Sequence, residues 1–169
     1  MKKRRFKAIL LLSLLLCHLL SCSAHPPTAR AVLGAMCRSE SALPAGEIYV
    51  RLAPQDGEAY LSDEMLSVIF GNGSLPPEAE LIADAALYLS YTRHCEMAAL
   101  LCKSTDGTDA IATMCLRRLD SLKSYWIGEE SAENSMDFDQ ARVTVCGRWV
   151  IMTLCSDPEA ALRAARRTL

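Results

Sequence analysis

The stretches AALYLSYT (residues 85–92) and CEMAALLCK (residues 95–103), parted by Arg93-His94, decide the fold of this chain. Each is a short run of apolar and small residues ending at polar ones, the pattern of a β-strand, and together they make a hairpin. Downstream, Asp106-Gly107-Thr108 opens the longest helix, which is expected to run to about Trp126. Ile111, Cys115, Leu119 and Leu122 then form its inward stripe, with Arg117, Asp120 and Lys123 outward. A polar loop, Glu129 to Asp139, leads to ARVTVCGRWVIMTLCS (141–156), two apolar strands turning at Gly147-Arg148. Asp157-Pro158-Glu159 starts a last helix, with Asp as N-cap, Pro at the first helical position and an acid in the first turn. Arg163, Arg166 and Arg167 near its end complement the helix dipole. The order β-β-α-β-β-α predicts an α+β domain: an antiparallel sheet from two hairpins, with helices packed on one face.

Upstream of the hairpin the chain reads as helical. TARAVLGAMCRSE (28–40) places Val32, Leu33, Met36 and Cys37 on one stripe behind a capping Thr28. GEIYVRL (46–52) is a short strand or an extended connector. SDEMLSVIFG (62–71) has a capping serine, acids in its first turn, an apolar face of Met65, Leu66, Ile69 and Phe70, and Gly71 as its stop. Asn72 to Pro77 follow as a turn.

The first residues are an export signal. MKKRRFK (1–7) carries five cations and no acid, and the run from Ala8 to Leu20 is apolar apart from Ser13 and His18. At about 1.5 Å per residue that run falls well short of a ~30 Å hydrocarbon core, so it suits a signal-peptide h-region better than a permanent span. Leu19-Leu20-Ser21-Cys22 resembles a bacterial lipobox, in which the thiol of Cys22 takes up diacylglycerol before the bond between Ser21 and Cys22 is cut. The competing reading is an ordinary cut after Ala24, which would free the protein by secretion. On the preferred reading 1–21 is the lipoprotein signal peptide, 22–28 a Pro-bearing tether and 29–169 a single domain. Cys17 belongs to the leader.

Removal of the leader leaves 148 residues, within the range of one domain. It also removes five of the eighteen basic residues and none of the twenty acidic ones, for a mature net charge of about −7. Such a balance excludes non-specific nucleic-acid binding, which needs a basic footprint. Six cysteines remain: Cys37, Cys95, Cys102, Cys115, Cys146 and Cys155. An even number in an exported chain admits a disulfide set of 15 possible pairings, and their apolar surroundings favour mostly buried thiols instead.

Catalytic motifs are absent. The sequence has no P-loop, GxSxG, HExxH or CxxC, and with His25 and His94 as the mature chain's histidines it offers neither a metal site nor a cofactor site. In His94-Cys95-Glu96 neighbouring strand residues point to opposite faces, so His94 cannot activate Cys95 locally. Tyr125, Trp126 and Trp149 read as edge-of-core residues. Two charges stand out for structural reasons. Glu96 interrupts an apolar strand on the face of Ala98, Leu100 and Cys102, and Arg118 flanks the buried stripe of the long helix. A carboxylate there needs a partner, and Arg118 is the candidate for a structural ion pair.

A family resemblance rests on several of these pieces: the short helix ending in Ile69-Phe70-Gly71, the strand Cys95-Glu96-Met97-Ala98, CLRRLDSLKSYW with Arg118, and RVTVCGRWVIMTLCSDPEAA. Over 61–169 the chain resembles the domain of unknown function 4358, a family of bacterial exported proteins often found behind lipoprotein leaders. The resemblance implies no activity. The expected role is therefore that of a lipid-anchored protein on the outer face of the cytoplasmic membrane, non-enzymatic, binding a protein or envelope component and no nucleic acid. The rival class is a hydrolase-like envelope enzyme whose acid and base groups would come from Glu96, Asp139 or Asp157.

Overall fold

In the computed structural model, residues 26–52, 54–91, 95–126 and 138–169 are described. Helix α1 (Ala29–Ser39) leads to strands β1 (Gly46–Val50) and β2 (Glu58–Tyr60) and then to helix α2 (Asp63–Phe70). Strands β3 (Ile82–Ser90) and β4 (Glu96–Cys102) precede the long helix α3 (Thr108–Trp126). Strands β5 (Arg142–Cys146) and β6 (Trp149–Leu154) are followed by the last helix, α4 (Pro158–Thr168). The domain is α+β. Its six strands form one mixed sheet in the order β2-β1-β3-β4-β6-β5, antiparallel except for the β1–β2 pair.

The helix starts follow the local chemistry. Thr28, Ser62 and Asp157 each accept a hydrogen bond from a backbone N–H three residues on, in Ala31, Met65 and Ala160, which satisfies donors that the first turn of a helix leaves open. Between β5 and β6, Gly147 takes a φ of +60°, a left-handed conformation that a Cβ would strain.

Helices cover both faces of the sheet, not one. On one face α2 and α3 bury Leu66, Ile69, Ile111, Met114 and Cys115 against Leu87, Ala98, Leu100, Val150 and Met152. On the other, α1 and α4 bury Val32, Leu33, Met36, Ala161 and Leu162 against Ala86, Met97, Ala99 and Ile151. The reason lies in the central strands. Every residue of β6 is buried, as is nearly every residue of β4, so neither face of the sheet carries the polar alternation that could be left to water. An apolar run of that kind needs a layer on each side.

Other differences are smaller. The sheet extends past the two hairpins, because β1 pairs with β3 and carries β2 on its outer edge. Trp149 is buried, but Tyr125 is 73% exposed on the last turn of α3. The leader, Cys22, His94 and most of the loop before Asp139 lie outside the described residues.

The long helix is placed as its stripe predicts. Ile111 and Cys115 are fully buried and Leu119 nearly so, with Leu122 packed at the margin. Burial pushes the Cys115 thiol up to about 12, with the neighbouring Cys102 adding to the effect. Near neutral pH it is therefore protonated as well as covered, and thiolate is the reactive form. Labelling of native protein with a maleimide is expected to spare Cys115 until denaturant is added. Rapid modification of Cys115 in the native state would show that this stripe does not face the core.

Candidate functional site

Glu96 opens β4 on the face covered by α3, directly across from Leu154 on β6 and Leu89 on β3. Apolar neighbours on that face leave its carboxylate little access to water. Arg118, one position before buried Leu119, reaches over the sheet and closes a two-pronged pair on it. Its Nη2 lies 2.6 Å from Oε1 and its Nε 3.1 Å from Oε2. Side-chain exposures of 11% for Glu96 and 21% for Arg118 place the pair much nearer a buried bridge than a surface one. The planar fork of arginine matches a carboxylate in this way, and lysine could not replace it.

Beside this pair the C-terminal end of α2, the turn after it and the middle of α3 form an open recess of about 290 Å³, lined by Ile69, Phe70, Asn72, Arg117, Arg118, Asp120 and Ser121. Arg117 reaches out of it to Glu78 at 2.8 Å. Burial opposes ionisation of Glu78, but hydrogen bonding from Arg117 and from the backbone, with the charge of Arg117, outweighs it and holds the carboxyl below its ordinary range. Ser121 donates its hydroxyl to the Arg117 carbonyl. The recess thus brings together guanidinium groups already engaged by carboxylates, a serine hydroxyl already donating to a backbone carbonyl, and the apolar side chains of Ile69 and Phe70.

The other two candidate acids stand apart from Glu96. Asp139 sits in an exposed turn, 2.9 Å from Lys123, and that hydrogen bond and charge lower its pKa. Asp157 spends its carboxylate on the Ala160 N–H at the start of α4, which packs on the opposite face of the sheet. The three do not converge.

Two buried acids were not singled out by the sequence. Asp84, in a β3 segment where the pairing with β4 shifts register, accepts from the Ala29 N–H at 2.8 Å through Oδ2 and from the Ala85 N–H at 2.8 Å through Oδ1. It thereby ties the first turn of α1 to the sheet. Glu40, just past α1, accepts at Oε1 from the Asp157 N–H (3.1 Å) and at Oε2 from both the Ser156 N–H (3.3 Å) and the Ser156 hydroxyl (2.5 Å). Its charge faces the positive end of α4. The signal available for Asp84 was an acid inside the apolar run LIADAALYLS; for Glu40, nothing in its local sequence marked it.

Around Glu40 lie Cys37, Cys95 and Cys155, all buried. Burial raises the Cys37 thiol to about 11 and the Cys95 thiol to about 12, and it raises Cys155 as well, with the Glu40 charge and hydrogen bond adding to the effect there. The structure contains no disulfide among the six cysteines of the body; Cys146 alone among them is partly exposed. Among the described residues no group of three or more His, Cys, Asp or Glu side chains is placed to hold a metal ion.

No protein-family model, no curated protein and no solved structure matches this chain.

Proposed function

We propose that this chain is a lipid-anchored protein of the outer face of the cytoplasmic membrane, whose α+β domain binds a protein or envelope component. The reading is carried by Leu19-Leu20-Ser21-Cys22 behind a basic, apolar leader. The start of the folded body supports it. Asp84 fastens α1 at Ala29, so the chain between Cys22 and the body is short, about 25 Å even when fully extended. A domain so tethered works against the membrane surface. No helix among the described residues is long and apolar enough to cross a membrane. Within this proposal the organisation is signal peptide, tether, short helical section and a β-β-α-β-β-α unit. The likeness of 61–169 to the domain of unknown function 4358 is part of the same proposal and rests on the residue pattern alone.

Binding is favoured over hydrolysis by the state of the carboxylates. Glu96 is clamped by Arg118, and Asp157 is spent as a cap. Among the described residues, the carboxylates that move from their ordinary values, Glu47, Glu64, Glu78 and Asp139, all move down. A general acid working near neutrality needs the opposite shift.

Mass spectrometry of the mature N-terminus tests the anchor. The expected result is an acylated peptide beginning at Cys22. An unmodified peptide beginning at His25 would make the protein freely secreted. Crosslinking in intact cells, followed by identification of the captured partner, then tests the binding role.

A further inference from the structure

We propose that Cys95 and Cys155 are a disulfide site, joining the start of β4 to the end of β6 across the face covered by α1 and α4. The β4–β6 register runs from Leu101 opposite Trp149 to Glu96 opposite Leu154, and Cys95 and Cys155 are the next residue on each chain, just past the paired ends. Both side chains belong to the core beneath α1 and α4, so they point to the same side.

The ladder also fixes the kind of pair. At its other end the Cys102 N–H donates to the Arg148 carbonyl at 2.8 Å, which makes 102 and 148 a hydrogen-bonded pair. Hydrogen-bonded and non-hydrogen-bonded pairs alternate in an antiparallel ladder, so 96 and 154 are a hydrogen-bonded pair, and the same alternation carried one step past the recorded ladder gives 95 and 155 the non-hydrogen-bonded position. Non-hydrogen-bonded partners have the closer side chains, with Cα atoms about 4.5 Å apart, inside the ~4.4–6.8 Å span of a disulfide. Neither backbone has to move far. Cys102 and Cys115 share the opposite core, one on a strand and one on a helix, and have no such register.

The bond forms by exchange with a disulfide donor such as oxidised glutathione. One cysteine thiolate attacks the donor, releasing one thiol and leaving a mixed disulfide. The second then attacks the protein sulfur and releases the second thiol. Two protons and two electrons pass from the cysteines to the donor, which leaves as two thiols. Because both sulfurs are covered in the native fold, closure belongs to folding, before α1 seats. The site depends only on contact with a disulfide donor and stands apart from the anchoring proposal.

The test is oxidative refolding of the body after the leader, reduced and denatured, in a glutathione redox buffer, followed by alkylation of free thiols and non-reducing peptide mapping. The expected product is one dominant crosslink joining the peptides of Cys95 and Cys155, with Cys102, Cys115 and Cys146 alkylated. The same link is expected in Cys37→Ala, which removes the third thiol of that core. Alkylation of all six cysteines in refolded wild type, or a dominant link through Cys37 or between Cys102 and Cys115, would overturn the proposal; the wild-type map decides even if the variant does not fold.

Discussion

Glu96→Gln is expected to lower the unfolding free energy by about 3 kcal/mol, at the lower end of the cost of breaking a buried pair. The residue count alone would not support that number, since an exposed bridge contributes only about 0–1 kcal/mol. What decides between the two is coverage and geometry: the side chains are 11% and 21% exposed, and the fork makes two hydrogen bonds of 2.6 and 3.1 Å. Removing the carboxylate's charge leaves the Arg118 guanidinium under α3 without its counter-ion. Arg118→Met should cost a similar amount by stranding Glu96, with part of the loss offset because the thioether fills the stem's place. The double variant should cost clearly less than the sum, because it strands neither charge. A chemical-denaturation cycle checks this. Simple additivity would show the two residues to be uncoupled, and Glu96 would then become a contact for a partner or substrate.

A second large effect is expected at Asp84. Its two carboxylate oxygens hold the N–H groups of Ala29 and Ala85, and the residue is 5% exposed. Hydrogen bonds to a charged group each contribute roughly 1.5–3 kcal/mol, and a buried donor left open costs its full desolvation. Asp84→Ala should therefore destabilise the domain by about 3 kcal/mol. Asp84→Asn should recover only part of this, since one carboxylate oxygen becomes an NH₂ facing another N–H. The loss should also be local: amide hydrogen exchange in α1 is expected to speed up more than exchange in β4 or β6. Uniform acceleration across the sheet would mean that Asp84 serves the strand and not the helix.

The parts of this protein that its sequence determined are those set by neighbours along the chain. Helix starts at Thr28, Ser62 and Asp157, the turn at Gly147, the strands around residues 85–103 and 141–156 and the inward stripe of α3 all follow from contacts within a few residues. The pairing of Glu96 with Arg118 was legible for a similar reason: a strand of period two and a helix of period 3.6 each placed one charge beside its own apolar face.

Tertiary structure decided what depends on the layers. The uninterrupted apolar character of β4 and β6 was visible as composition, but which helices cover which face is a matter of three-dimensional packing, and both faces proved to be covered. The roles of Asp84 and Glu40 likewise span 55 and 116 or more residues, to Ala29 and to Ser156 and Asp157. No local pattern carries such a contact, because a buried carboxylate is tolerated only where the assembled fold brings it N–H groups to accept from.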